Sequence, residues 1–234
     1  MDLIVALFLC LYLPVVATNL SNKLFIFAST TWNFSHHLLQ MLFALMIMGL
    51  PFWGKSLHEW GFNTNNSDYT LKIVKKFCIG FAVCLPVGTI ITQVLSGWQP
   101  ILTYPATWLN YLINLSFSVT MPGVSEEILF RALGMGILSR NWKNHIRIGN
   151  ITLSYANMFS SVIFALAHIG FTIFPFEIVY YNPMQLTFAL GLGLLYGYVY
   201  EKTNSLLGPI LLHNASDGIA VTTYFLITKL FMNN

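Results

Sequence analysis

The sequence predicts an all-α membrane protein, a helical bundle of about seven to eight transmembrane helices around a polar intramembrane cavity. Of its 234 residues, 56% are hydrophobic and only 8% are charged. A soluble domain carries charged side chains at roughly a quarter of its positions, so this chain has too few to cover a water-exposed surface. The same composition excludes intrinsic disorder, because disordered chains combine low hydrophobicity with high charge.

A series of long apolar segments also supports this fold class, because they are continuous and lack the alternation of a membrane β-barrel. The predicted spans are residues 2–20, 24–50 with its best core at 38–53, 77–95, 101–121, 123–139, 151–174, 184–200 and 206–231. The early part of the second span is polar and aromatic, so we expect it at the membrane interface. Asp2 precedes the first apolar run where a signal peptide would carry positive charge, which favours a retained helix.

The chain is predicted to form one integral membrane domain over residues 1–234, because it shows neither a repeat nor a low-complexity linker. Lys and Arg favour cytoplasmic loops, so we expect the loop at 140–147 and Lys202 on the cytoplasmic side. Three full crossings between residues 77 and 139 would put the basic residues before and after them on opposite sides. We therefore expect either 101–121 or 123–139 to be re-entrant, interfacial or half-length.

The net charge of +3 is too small and too scattered to indicate a nucleic-acid partner. The expected partner is the lipid bilayer, in which the chain would be a multi-pass protein of the cell membrane. This would be the inner membrane in a bacterium and the endoplasmic reticulum in a eukaryote.

Ionisable residues inside apolar segments are the informative ones, because each costs about 2.5–3.5 kcal/mol at a helix centre. The first cluster begins at Ser125 and contains Glu126, Glu127 and Arg131. Glu127 and Arg131 are four residues apart on one helical face and can form an ion pair. The two acids and one base leave a negative surplus, which requires a proton, a metal or a partner group. An ion-pair clasp at a helix entrance is the alternative interpretation.

Two further clusters lie in apolar helices nearer the C-terminus. Phe164 precedes His168 by one turn, and His213 precedes Asp217 by the same spacing with Asn214 between them. The second spacing suits two metal ligands or a hydrogen-bonded pair that fixes a histidine tautomer. The alternatives are a core histidine and a polar contact between membrane helices. If all three clusters converge, they predict a cavity that activates water and stabilises an oxyanion.

In this order the three clusters resemble the CPBP family, which includes the type II CAAX prenyl endopeptidases and bacterial bacteriocin-processing or self-immunity proteins. The family pattern EExxxR, FxxxH and HxxxN or HxxxD reads here as Glu126-Glu127-Ile-Leu-Phe-Arg131, Phe164-Ala-Leu-Ala-His168 and His213-Asn-Ala-Ser-Asp217. The resemblance covers about residues 120–220, the expected catalytic core. Residues 1–100 carry no matching motif.

The resemblance implies an intramembrane endopeptidase that hydrolyses a peptide bond of a membrane-associated substrate. It implies that Glu126 activates the attacking water with the help of His168, and that Glu127 and Arg131 form the supporting ion pair. His213 and Asp217 would stabilise the oxyanion or bind a metal, with Phe164 and Asn214 in supporting positions. Asp217 departs from the frequent Asn, because an ionised carboxylate cannot donate a hydrogen bond. Asn214, a protonated Asp217, or a role for Asp217 in holding His213 or a metal would account for this.

No cofactor is expected, because the chain lacks an HExxH zinc motif. Glu126, His168 and His213 nevertheless stay candidates for a divalent metal such as zinc. The expected substrate is a prenylated CAAX tail, a leader or a bacteriocin-like peptide. The alternatives are a non-proteolytic immunity or assembly factor with a retained binding pocket, and a proton-coupled transporter. The transporter is disfavoured because the chain is short and shows no two-halves repeat.

Overall fold

The computed structural model describes residues 1–26, 29–172 and 177–232. Its helices are α1 (Asp2–Leu24), α2 (Thr30–Met48), α3 (Ser67–Ser96), α4 (Trp108–Ser118), α5 (Pro122–Glu127), α6 (Gly136–Leu138), α7 (Tyr155–Leu166), α8 (Pro183–Thr203) and α9 (Leu207–Phe231). A π-helix (Ile128–Met135) joins α5 to α6, and 3₁₀ helices cover Pro51–Trp53 and His58–Trp60. The predicted helical class is confirmed.

Two antiparallel hairpins add a small amount of strand to this helical chain. β1 (His145–Ile148) pairs with β2 (Ile151–Ser154), and β3 (Gly170–Thr172) pairs with β4 (Glu177–Tyr180). The prediction of one continuous span over residues 151–174 was therefore wrong. Ser154 is the last residue of β2 and also the N-cap of α7. Its side chain accepts a hydrogen bond from the Asn157 amide, which stabilises the start of the helix.

Among the described residues, α1 and α3 are long and apolar enough to cross a membrane. Most of α3 is exposed, with an apolar surface that includes Ile79, Val83, Val87, Ile91 and Val94. Exposed apolar side chains in such a row suit contact with lipid. These helices support a membrane protein, and the count of seven to eight spans stays a prediction.

Two helices differ in length from the predicted spans. α3 begins at Ser67, ten residues before the predicted span 77–95, so Lys72, Lys75 and Lys76 belong to the helix. α4 has 11 residues within the predicted span 101–121, a length of about 16 Å at 1.5 Å per residue. A helix of this length is too short to cross a bilayer of about 30 Å, in agreement with the half-length segment expected here.

The π-helix forms the centre of the molecule, because every one of its residues is buried. It packs against α1, α2 and α7. Cys10 of α1 donates a hydrogen bond from its thiol to the Leu129 carbonyl at 3.6 Å. The ring of Trp60 covers the other end, where a side chain at Gly136 would approach it to 2.5 Å. Residues of α5, at the N-terminal end of the π-helix, therefore meet α2 and α9 in the interior.

Candidate active site

A buried ion pair forms the foundation of the site. Arg131 donates from Nε to Oε2 of Glu127 at 2.8 Å, and both side chains are fully buried. Its Nη1 donates to Ser160 Oγ at 3.3 Å, and the guanidinium lies 5.1 Å above the Phe164 ring. Removing such a charge from water is costly unless it is paired and hydrogen-bonded. Arg131 belongs to the π-helix, and its partners come from α5 and α7.

His213 of α9 binds the second carboxylate oxygen of Glu127, Oε1. The His213 Nδ1 lies 2.8 Å from Glu127 Oε1, and it donates because an ionised carboxylate can only accept. The imidazole stacks on the Tyr196 ring with centroids 5.1 Å apart. The Tyr196 hydroxyl contacts Ser216 at 2.7 Å, and Ser216 donates to the His213 carbonyl at 2.7 Å. These contacts fix the ring so that Nε2 faces away from Glu127.

Glu126 has a different environment from its neighbour. Its Oε2 lies 3.8 Å from His213 Nε2, and its Oε1 lies 3.9 Å from the Nδ1 of His37. Within the described part of the chain this carboxylate makes no direct hydrogen bond, and the side chain is 17% exposed. Polar contacts beyond about 3.5 Å are typical of groups that meet through water. Glu126 is therefore the glutamate that a water molecule can reach.

Asp217 is the most accessible acid of the cluster. Its Oδ2 lies 3.6 Å from His213 Nε2, and its side chain is 36% exposed. The predicted spacing of four residues therefore brings Asp217 and His213 together on one face of α9. The Nε2 atom of His213 faces two carboxylates, Glu126 and Asp217, while its Nδ1 atom is held by a third.

His168 reaches the same region from the end of α7. Its Nδ1 lies 2.8 Å from the Phe164 carbonyl oxygen, which can only accept, so Nδ1 donates and Nε2 stays available. The Phe164 ring meets the His168 ring edge-on at 4.9 Å and the His213 ring at 5.8 Å. His168 is also within electrostatic range of Asp217 and His37. The structure thus brings the three predicted clusters together, with Phe164 between the two histidines.

Asn214 connects α9 to the start of α5. Its Oδ1 accepts a hydrogen bond from the Gly123 amide at 2.8 Å, one of the amides that a helix start leaves without an intrahelical partner. A Cβ atom at Gly123 would lie 2.5 Å from that oxygen and 2.8 Å from the Ile210 carbonyl oxygen. Only glycine therefore allows the two helices to approach this closely.

His37 of α2 also belongs to this site, and the sequence analysis missed it. Its Nδ1 lies 2.6 Å from Ser125 Oγ as well as 3.9 Å from Glu126. The early part of the second predicted span was expected at the membrane interface, and its histidines were not considered. The available signal was the one used elsewhere, an ionisable residue at the edge of an apolar segment.

The candidate metal ligands are Glu126, His168 and His213. Across residues 1–26, 29–172 and 177–232, no group of three His, Cys, Asp or Glu side chains is arranged to hold an ion. Glu127 and the Phe164 carbonyl occupy the Nδ1 atoms of His213 and His168. Each of these histidines therefore has only its Nε2 atom available for a ligand or a substrate.

Comparison with known families agrees with the motifs. The family described as type II CAAX prenyl endopeptidase Rce1-like matches residues 108–219, slightly less than half of the chain. Residues 108–219 are therefore similar to this family. The Rce1-like segment runs from α4 into α9 and contains all three motifs, so the predicted family is confirmed. A search of curated proteins and a search of solved structures each found no match.

Proposed function

We propose that the chain is a multi-pass intramembrane endopeptidase in which Glu126 activates the attacking water. The Rce1-like family supports a membrane protease of the CAAX type. The observation that carries the proposal is the contrast between the two glutamates. Both oxygens of Glu127 are occupied, by Arg131 and His213, whereas those of Glu126 face two imidazoles without a direct bond.

The proposed reaction begins at the Glu126 carboxylate. It removes a proton from a water molecule, and the resulting hydroxide attacks the carbonyl carbon of the peptide bond. The carbonyl oxygen then carries a negative charge, which a hydrogen-bond donor must stabilise. His213 suits this role, because its Nδ1–H donates to Glu127 and a protonated Nε2 can then donate to the oxyanion.

Breaking the bond requires a proton on the departing amine. His168 can supply it, because its Nδ1 is bonded to the Phe164 carbonyl oxygen and only Nε2 is free for chemistry. Glu126 holds the proton that it received from the water, and transfer of that proton to His168 after the bond has broken would restore both groups. A carboxylate and an imidazole in one site thus divide the proton transfers between them.

Asp217 has a supporting role in this scheme. Its carboxylate lies 3.6 Å from His213 Nε2, where an ionised acid favours a proton on that nitrogen. It therefore acts on the oxyanion through His213 and does not itself donate. A holding role of this kind would account for Asp217 at a position where the family frequently has Asn.

The proposed substrate is a membrane-associated peptide, with a prenylated CAAX tail as the first class to test. The purified protein in detergent would be incubated with a farnesylated peptide that ends in a CAAX sequence and with its unprenylated counterpart. Mass spectrometry would identify the cleaved bond. We expect cleavage of at least one peptide. A folded protein that cleaves neither contradicts the proposal, and binding without cleavage would favour the assembly or immunity role.

A further inference from the structure

His37 lies in the half of the chain that precedes the Rce1-like segment. Its side chain is 13% exposed, and its ring meets Phe117 edge-on at 5.2 Å. The Nδ1 atom forms a 2.6 Å contact with Ser125 Oγ across 88 residues of sequence. Within the described residues, the His37 side chain makes this one direct hydrogen bond. A buried imidazole with one short polar contact has a defined orientation.

Ser125 transmits this contact to the base. Its side chain is fully buried and also lies 3.2 Å from the Pro122 carbonyl oxygen, to which the hydroxyl donates. A hydroxyl has one hydrogen, so donation to Pro122 leaves the His37 Nδ1 to donate to Ser125 Oγ. Ser125 immediately precedes Glu126 in α5. The orientation of the first turn of this helix, and with it the Glu126 side chain, therefore depends on His37.

The two imidazoles bracket the Glu126 carboxylate. His37 Nδ1 lies 3.9 Å from Oε1, and His213 Nε2 lies 3.8 Å from Oε2. The histidine from α9 is fixed by Glu127 and Tyr196, and the one from α2 is fixed by Ser125. A carboxylate between two oriented rings is restricted in its rotation, which is what a general base requires for a defined approach to water.

The helix that carries His37 is itself anchored to α1. The adjacent His36 contacts Thr18 through Nδ1 at 3.2 Å, and Ser21 donates to Ser35 at 3.0 Å. These contacts join polar groups of α1 and α2 next to His37 in sequence. α2 therefore presents His37 to the site from a fixed position.

We infer that His37 is a positioning residue that orients Glu126 through Ser125, so that the N-terminal half completes the active site. This inference rests on the proposed function, because it assigns His37 to the same hydrolysis. A contact that serves only the packing of α2 on α5 would change stability and leave turnover of the folded protein unaltered. A positioning role instead lowers kcat while KM for the peptide stays nearly constant.

The test compares His37→Ala and His37→Asn in cleavage of the farnesylated CAAX peptide. We expect His37→Ala to lower kcat about tenfold, with KM within about twofold, because a misplaced catalytic group reacts more slowly. His37→Asn should recover most of this loss, because its amide can replace Nδ1 in the bond to Ser125. His58→Ala is the control, because it removes an exposed imidazole outside the site, and it should keep kcat within about twofold.

Ser125→Ala keeps the test decisive if a His37 variant fails to fold. We expect this smaller change to lower kcat by a similar factor, and the double variant with His37→Ala to be no worse than either single variant. Losses that multiply in the double variant would overturn the inference. Full activity of folded His37→Ala, or equal losses in its Ala and Asn variants, would do the same.

The controls separate this inference from the proposed function. Activity that survives Glu126→Gln contradicts the glutamate mechanism itself and the positioning role with it. An inactive Glu126→Gln variant together with a fully active His37→Ala variant contradicts only the role of His37. A parent protein that cleaves no peptide overturns both.

Discussion

The surroundings of Glu127 and of Glu126 differ in how completely their charges are compensated. Glu127 is fully buried, and its two oxygens bind Arg131 and His213 at 2.8 Å each. Glu126 is partly exposed, and its nearest charged partners lie 3.8 and 3.9 Å away. The first arrangement gives each carboxylate oxygen a direct hydrogen-bond partner. The second leaves two carboxylate oxygens for water or substrate.

This contrast suits two different tasks for the two glutamates of one motif, one structural and one chemical. A buried charge must be paired, and once paired it holds its neighbours in place. A base must keep free lone pairs, so it depends on others for its position. The neighbouring residues Glu126 and Glu127 meet these opposite demands because successive helix positions point about 100° apart.

The largest effect should follow from loss of Glu126, the proposed base. Glu126→Gln keeps the shape of the side chain but cannot accept a proton at neutral pH, so we expect kcat to fall about a thousandfold. Peptide cleavage followed by mass spectrometry measures this, and the melting temperature in detergent should stay nearly unchanged. Glu177→Gln, on the exposed strand β4, is the control. If Glu126→Gln keeps activity close to that of the parent protein, the proposed difference in role between Glu126 and Glu127 is wrong.

Loss of Arg131 tests the structural half of the contrast. Arg131→Ala leaves the buried Glu127 carboxylate with only His213, at an expected cost of about 3–5 kcal/mol in unfolding free energy. Yield and thermal unfolding in detergent report this loss. Adding Glu127→Gln should restore part of the stability by removing the stranded charge. Arg140→Ala, an exposed arginine over the Trp53 ring, should cost less than about 1 kcal/mol.

A third variant tests the close approach of α5 and α9. Gly123→Ala would place a methyl group 2.5 Å from Asn214 Oδ1 and 2.8 Å from the Ile210 carbonyl oxygen. We expect it to destabilise the protein by about 1–3 kcal/mol and to displace Glu126. Gly88→Ala in α3, where a Cβ meets nothing within 4 Å, should be neutral or stabilising by up to about 1 kcal/mol. Equal melting temperatures for the two variants would contradict this.

Substitution of Asn214 should have a smaller effect on stability, through one hydrogen bond. Asn214→Ala removes the acceptor for the Gly123 amide, and loss of a helix cap costs about 1 kcal/mol. Asn214→Asp keeps an acceptor at the same place and should retain most of the stability. Thermal unfolding of both variants in the same detergent measures the difference. If the Asp variant is as unstable as the Ala variant, the cap is not what Asn214 contributes.

The smallest expected effect is that of a chelator. The described residues offer no arrangement of three metal-binding side chains, so we expect EDTA or phenanthroline to leave peptide cleavage unchanged. Titration of activity against each chelator, with and without added zinc, measures this. If a chelator abolishes activity and zinc restores it, this prediction is wrong. Glu126 would then be a candidate zinc ligand, in contrast to Glu127, which binds Arg131 and His213.

Much of the site could be predicted from ionisable residues, because their burial in apolar segments costs free energy. Glu127, Arg131 and His213 lie in apolar helices, and burying such groups requires partners. Helical spacing places Arg131 beside Glu127 and Asp217 beside His213, and both pairs are present. The family pattern then ordered the three clusters, and the family match to residues 108–219 agrees with it.

Other features depended on contacts that no local pattern encodes. The bond from His37 to Ser125 joins residues 88 positions apart, and it exists because α2 packs against α5. The break of residues 151–174 into strand, helix and strand was also missed. Its apolar composition suits a membrane helix and a short buried helix equally, and pairing with residues 145–148 decides between them.

The sequence by itself determined that the chain is helical, that it suits a membrane, and that its buried charges must find partners. Only the tertiary structure decided which glutamate is compensated and which is left free. Helical periodicity fixes neighbours along one helix, whereas Glu126 and Glu127 differ through groups on α2, the π-helix and α9. Side chains from separate helices meet only after packing, so their distances cannot be read from spacing along the chain.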